Sequence, residues 1–492
     1  MSDIRLNLVV ERRNPPIFPS DPATHQVPLP SDRKSMMTSL SMQSAGLGEL
    51  GERTLRKVRR RVMPLIVLLY FVAYLDRNNV GFAKLTMSED VGLSAAAYGL
   101  GAGIFFLGYA LLEVPSNAGM YRFGARKWLA RILITWGIFA TAMCLVNGES
   151  TYYIVRFLLG AAEAGFFPAI LFYLTLWFPA AQRVTVLGIF ILAQPVSNAL
   201  GAPVSGLLLQ MDGVMGLQGW QWLYIIEGIP AILLGLLTPI LMTDRPRDAK
   251  WLSTDEREWL ATTMDAELAA KSKSGSHNFL AGLKDKRTLV YAALYFGLVC
   301  GIYGLGLWMP TIVAALGKFS TAEVGFIVFV PYAIAAVFVY FWSKRADRTG
   351  KRAWHTAVSM VLAGMGLLAA GYLLPVNPVL ALVALTASAM GIYGAIAPFL
   401  SMPSAALTGA AAASGLALVN SLGNLGGFVA PYAVGLLKDA TGNNQIGLLF
   451  LSFCLCVTAV ATYFYARKRP EGDAALDPAV AAAAAVNATK AS

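Results

Sequence analysis

Charge is what this chain has least of for its length. Of 492 residues, only 14% are Asp, Glu, Lys or Arg, where a soluble domain carries roughly 25%. With 57% hydrophobic residues and a mean hydropathy of +0.59, that shortage excludes a large soluble core with a solvated surface. Histidine is also scarce. His25, His277 and His355 are scattered outside or at the ends of the apolar runs, which excludes a histidine-based site. The four cysteines, Cys144, Cys300, Cys454 and Cys456, lie inside apolar runs. They lack the spacing of a disulfide framework or a metal site and read as small apolar packers. No phosphate-binding loop, metal motif or nucleophile elbow occurs in the polar segments. The chain is therefore not expected to be an enzyme, nor to hold a metal or an organic cofactor. Nor is a cleavable leader expected: the first ~60 residues are polar and Pro/Ser-rich, with no short apolar stretch and small-residue cleavage site.

What the chain does have is apolar runs of ~20 residues, each long enough to cross a ~30 Å hydrocarbon core. Twelve are candidate helices: 62–83, 97–118, 128–147, 152–177, 183–207, 221–242, 288–314, 322–342, 354–374, 379–400, 412–436 and 445–467. The fold class is thus an all-α polytopic membrane protein. The longest polar interval within the set splits the runs six plus six, the layout of two similar six-helix halves. The expected organisation is a disordered cytoplasmic tail over 1–60, a six-helix bundle over 61–242, a central loop over 243–287, a second bundle over 288–467 and a tail over 468–492. Inside the loop, "WLSTDEREWL" (251–260) reads as an amphipathic helix opened by the capping box "STDE".

Basic residues set the orientation. They cluster before the first run (Arg56 to Arg61), after the second (Arg122, Arg126, Lys127), after the eighth (Lys344 to Arg352) and after the last (Arg467 to Arg469). The alternate loops hold few: Lys84, Lys318 and Lys438. Both termini and the central loop are therefore expected in the cytoplasm of a multi-pass inner (plasma) membrane protein. The net charge of +11 reads as this topology signal; the expected surroundings are membrane lipid, with no nucleic acid, and the chain is expected to work as a monomer. The loops "NAGMYRFGARK" (117–127) and "SKRADRTGKR" (343–352) echo each other in equivalent places. Arg122, Gly124 and Arg126 in the first, and Asp347, Arg348 and Gly350 in the second, are candidates for gating. The glycines permit tight turns, and the cations can bond helix C-terminal carbonyls. Plain orientation charge is the competing reading.

An ionisable side chain within a span costs at least ~2.5 kcal/mol and is a functional candidate by default. The interior set is Asp76, Arg77, Arg156 and Glu163, all in the first half; Glu113 and Glu227 lie nearer helix ends. At 1.5 Å per residue, Asp76 and Arg77 fall roughly 10 Å below the outer end of the first run. Arg156 and Glu163 fall about 6 Å and 16 Å below that of the fourth. The four share one band and sum to zero charge, so mutual pairing across a water-filled cavity is expected. Protonation of Asp76 or Glu163 would free an arginine for an incoming carboxylate, which a guanidinium fork suits. A static ion-pair network is the competing reading, and Arg156 is the one of the four most easily explained as purely structural.

The stretches "YLDRNNVGFA" (74–83), "RFLLGAAEAGFFPAILFYLTLWFP" (156–179), "GWQWLYIIEGIPAILLG" (219–235) and "NSLGNLGGFVAPYAVGLLKDATG" (420–442) resemble the anion:cation symporter family of the major facilitator superfamily. The resemblance covers about 55–467. It implies twelve helices in two halves, alternating access and uptake of an organic anion with H+ as the co-transported ion. It further implies proton carriage by Asp76 and Glu163, a substrate role for Arg77, and a charge-network role for Arg156 in organising Glu163. Tyr74, Tyr109, Gln194 and Asn420 would line the substrate cavity, against a competing reading of helix–helix hydrogen bonding. The first loop carries Tyr121 where the family often has Asp. Ala397, Pro398, Phe399 and Leu400 stand where similar sugar-acid carriers have hydroxyl and Trp side chains. An unpaired substrate hydroxyl would be penalised there, so the expected substrate is an aromatic acid or a small hydroxy- or dicarboxylic acid. Tyr303, Trp308 and Tyr393 could add aromatic surface. The alternative is a drug or metabolite/H+ antiporter.

Overall fold

The computed structural model describes residues 33–273, 285–406 and 410–467. Expectations for 1–32, the middle of the central loop and the C-terminal tail lie outside these. By contacts, the chain divides into Met1–Leu50, whose described part is the opening of the first helix, and Gly51–Ser492, which holds everything else below. The described residues are helical and contain no strand.

In the first half the helices are α1 (Arg33–Val91), α2 (Ala95–Phe123), α3 (Ala125–Ala142), α4 (Glu149–Glu163), α5 (Phe166–Trp177), α6 (Ala180–Leu208) and α7 (Gly219–Leu241). A loop helix, α8 (Thr254–Lys273), follows. The second half holds α9 (Lys286–Ala314), α10 (Thr321–Thr349), α11 (Arg352–Leu373), α12 (Pro378–Ala406), α13 (Ala410–Asn424), α14 (Gly426–Thr441) and α15 (Gln445–Arg467). Among the described residues, ten stretches are long and apolar enough to span a membrane. The other two expected runs are the ones polarity or a break interrupts. The run 62–83 sits inside α1 with four polar residues, Asp76 to Asn79, in succession. The run 412–436 is divided into α13 and α14.

One helix break positions a charged residue. Between α4 and α5, Gly165 adopts φ +84°, a left-handed conformation open mainly to glycine. A side chain there would also strike Ser116 on α2. The break follows Glu163 directly, and interrupted helices of this kind build sites near the membrane centre.

The halves meet along two helix pairs, α2 with α14 and α6 with α10. These pairs are equivalent, because α2 holds the place in its half that α10 holds in the other, and α6 that of α13–α14. Both crossings depend on glycine. A Cβ on Gly99 would fall on the Pro431 backbone, and one on Gly325 on the Ala202 backbone. These contacts lie at the end opposite the arginine-rich loops. There Asp439 also accepts from the amides of Ala95 (3.1 Å) and Ala96 (2.7 Å). Tyr98 donates to the Leu307 carbonyl at 3.0 Å, and the Lys84 ammonium sits 3.6 Å from the centre of the Trp308 ring.

The polar stretch before the first run is not the loose tail its composition suggests. Helix α1 already runs through 51–60, where Thr54, Leu55 and Val58 are buried. Lys57 and Arg53 pair with the covered carboxylate of Glu256 on α8, at 2.7 and 3.2 Å. Glu256 closes the capping box read from "STDE": Ser253 Oγ accepts from its amide (3.3 Å), and its Oε2 accepts from the Ser253 amide (3.1 Å). An amphipathic stripe with a carboxylate partner orders this segment, which polarity alone could not reveal. Burial pushes the Glu256 pKa up, but bonds from Lys57 and the Ser253 amide outweigh it, leaving the group below its ordinary value of 4.5. A depressed carboxylate pKa stabilises the docked form above 4.5 and loses that contribution as pH falls through the folded value. Trypsin cleavage within Arg53–Arg61 is therefore expected to rise roughly fivefold in Glu256→Gln, for the loss of about 1 kcal/mol from a partly exposed pair. A change that appears at neutral pH and vanishes in acid buffer checks the sign.

Candidate functional site

Arg77 is the centre of the polar seam between the halves. Its guanidinium pairs with Glu163 Oε1 from the end of α4. It also donates to the Tyr303 hydroxyl of α9 at 2.7 Å. Four rings surround it: Tyr74, Phe105, Tyr109 and Tyr303 have centroids 5.2, 5.3, 5.6 and 5.9 Å from its Cζ. Such faces attract a cation that has left water. Its side chain keeps 12% exposure while that of Glu163 has none, so the arginine faces the seam and the glutamate lies behind it. Glu163 Oε2 has no hydrogen-bond partner among the described residues.

The expected four-membered charge cluster is therefore one ion pair and two separate groups. Asp76 pairs with neither arginine. Its Oδ2 accepts from the Trp136 indole of α3 at 2.6 Å and its Oδ1 from Asn79 at 3.2 Å. Arg156 forms no ion pair among the described residues. It donates to the Gly101 and Ala102 carbonyls of α2, at 3.4 and 3.2 Å, and lies 4.9 Å from the Phe105 ring centre. It therefore reaches Glu163 only across the low-dielectric interior. Successive residues on a helix point about 100° apart, which is why neighbours Asp76 and Arg77 face different partners.

Of the expected cavity residues, Tyr74 and Tyr109 stand beside Arg77, as given above. Gln194 is buried on α6. Asn420 instead donates to Glu113 Oε1 on α2 at 2.6 Å, and Ser421 to Oε2 at 2.8 Å. Glu113 lies one turn beyond Tyr109 on α2, so this clasp between halves flanks Arg77 on the side of the basic loops. Residue counting put Glu113 and Glu227 nearer helix ends, but both are only 2% exposed. Polarity within an apolar run was the signal for them.

Asn198 is a residue sequence reasoning missed as a partner, and Tyr303, read there as aromatic surface, meets Arg77 through its hydroxyl. Asn78 donates to Asn198 (2.6 Å), which donates to the Tyr393 hydroxyl of α12 (2.6 Å). Phe399, buried, stacks on Tyr295 at 5.4 Å and is the aromatic side chain within 397–400. Among the loop residues, Gly124 (φ +85°) turns the chain so that the Arg126 amide donates to Asp244 Oδ1 at 2.9 Å. Arg122 is exposed beside Phe123. Gly350 (φ +67°) caps α10, with Asp347 and Arg348 exposed before it. No group of residues suited to a metal occurs among those described.

This architecture, two equivalent bundles meeting around one buried guanidinium, is that of a multi-pass membrane transporter and not of an enzyme. The chain belongs to the Major Facilitator Superfamily, whose model matches residues 66–431. It is 49% identical, over 87% of its length and 98% of the relative's, to an Agrobacterium vitis protein provisionally named a tartrate transporter. It is 44% identical to a quinolone resistance transporter of Acinetobacter baumannii, over 83% of this chain and 94% of the other. Its fold matches a solved bacterial homologue of the human lysosomal transporter Spinster, with a TM-score of 0.69 at 17% identity, covering 84% of this chain and 98% of that one.

Trp136 tests the placement of Asp76. Trp136→Phe leaves Asp76 Oδ2 without its donor and is expected to cost about 1–3 kcal/mol of stability, read as a lowered unfolding midpoint in detergent. In an Asp76→Asn background the same change should cost much less, because the two residues act as a pair. Additive costs would contradict the bond.

Proposed function

We propose that the chain imports a small organic carboxylate together with protons, by alternating access of its two halves. The observation that carries this reading is the Arg77 guanidinium, shared between Glu163 of one half and Tyr303 of the other. With Glu163 ionised, its carboxylate occupies the arginine fork. Once protonated, it lets go, and the fork accepts the carboxylate of a substrate bidentately. The substrate then sits between the halves, where Tyr74, Tyr109 and Tyr303 close around it. Asp76, bonded to Trp136, carries a proton apart from the substrate and ties α1 to α3.

Closure at the two ends comes from different contacts. The glycine crossings and Asp439 hold one end, and Glu113 with Asn420 and Ser421 holds the other. Alternating access breaks one set at a time. The arginine-rich loops support cytoplasmic termini and central loop, in a bacterial inner membrane with the chain acting as a monomer. The aromatic stack of Tyr295 and Phe399 and the relative at 49% identity support a short hydroxy-dicarboxylate such as tartrate, or an aromatic acid. The quinolone resistance relative favours a second reading, export of an aromatic acid by proton antiport, since quinolones themselves carry an aryl carboxylate.

Uptake of radiolabelled tartrate into proteoliposomes tests the proposal. An inward proton gradient is expected to stimulate uptake. Arg77→Ala should lower it more than about tenfold, as expected for losing charge-assisted bonds worth ~1.5–3 kcal/mol. Asp76→Asn and Glu163→Gln should abolish the response to the gradient. Unchanged proton dependence in both variants would sink the mechanism. Stimulation only by an outward proton gradient, with protons leaving the lumen as label enters, and competition by a quinolone would favour the export reading.

A further inference from the structure

A second buried carboxylate, Glu227, accompanies Asp76 behind the arginine site, and no role above accounts for it. Glu227 on α7 and Asp76 on α1 are each 2% exposed. Neither forms an ion pair among the described residues; the interior pair is that of Arg77 and Glu163. Their bonded partners, Asn79 for Asp76 and Ser205 for Glu227, line one small cavity. Asp76 itself also faces Glu163, Arg156 and Tyr224. Two anions held this close in a low-dielectric interior, without a cation in contact, cost more than the fold can return. At least one of them holds a proton.

The donors show which one. Asp76 receives two N–H groups, from Trp136 and Asn79, one at each oxygen. That is the environment of an anion. Glu227 receives a single hydroxyl, from Ser205 on α6 at 2.7 Å to Oε1, while Oε2 has no partner among the described residues. A bare, buried carboxylate oxygen is the place for a proton. Asn79 stands between the acids. Its amide nitrogen donates to Asp76 Oδ1, it also faces Glu227, and its own carbonyl oxygen suits a carboxyl O–H.

We propose that Glu227 is a proton-binding residue, held neutral in this closed arrangement, and that it shares one proton with Asp76 through Asn79. The proton sits on Glu227 Oε2 while Asp76 is the anion; loss of the Trp136 bond as α1 and α3 shift would move it to Asp76. Asn79 and Ser205 both border a small cavity that reaches Asn198 and Tyr332 at the seam between the halves. That gives the pair a polar route to the seam that bypasses Arg77. The inference deepens the reading above, in which Asp76 carries a proton, but its test needs no transport.

Difference infrared spectroscopy of the purified full-length protein, between alkaline and neutral buffer, reads the carbonyl stretch of a protonated carboxyl and its shift in D2O. A buried-carboxyl band is expected in the wild type and should be lost in Glu227→Gln. It should persist in Asp76→Asn, titrating at lower pH because the neighbouring negative charge is gone. Ser205→Ala keeps the carboxyl and should shift the band, which covers the case of a Glu227→Gln variant that does not fold. A band that survives Glu227→Gln, or one that Asp76→Asn alone removes, would overturn the assignment. If wild-type protein fails to take up tartrate, the symport reading falls while this test still stands.

Discussion

The constraint on which the rest depends is that Arg77 has to stay charged in an apolar interior. A guanidinium cannot shed its proton to escape the cost, so the fold supplies everything else that lowers it. Glu163 balances the charge, Tyr303 accepts one N–H, and four aromatic faces surround the cation. Those partners come from α1, α2, α4 and α9, so satisfying one side chain draws both halves of the molecule to one point. The break after Glu163 and the glycine crossings follow from the same need, because they let backbone and carboxylate approach where side chains would otherwise intrude.

Such an arrangement is suited to change. The polar links between the halves at Tyr98, Tyr303, Tyr393, Asn420 and Ser421 are single hydrogen bonds, and Asp439 accepts two. Any of them can be exchanged for a substrate group or water without unfolding a bundle. Within the half that holds the charges, Asp76 is bonded to Trp136 and Arg156 to the α2 carbonyls.

Much of this was legible in the sequence, because hydrocarbon leaves the chain few options. Apolar runs, their six-plus-six division and the charge-bearing first half all follow from composition along the chain. Arg77 and Glu163 were found by the cost of their burial, and Tyr74 and Tyr109 by resemblance. Pairing was not legible. Asp76 and Arg77 are neighbours in sequence yet face different helices, and nothing in a linear string says that Trp136, 60 residues away, is the donor for Asp76. Nor does the string say that Asn420 of α13 bonds Glu113, 307 residues away on α2. The order in 51–60 was missed for a similar reason: its partner carboxylate, Glu256, lies nearly 200 residues on.

The central claim is that Glu163 and the substrate compete for one guanidinium. Calorimetric titration of purified protein with tartrate across a pH series tests it most directly. Wild-type affinity should strengthen as the buffer is made more acidic, while Glu163→Gln should bind as tightly as the acid form at every pH. Loss of binding in Glu163→Gln, or a pH dependence identical to that of the wild type, would contradict the account.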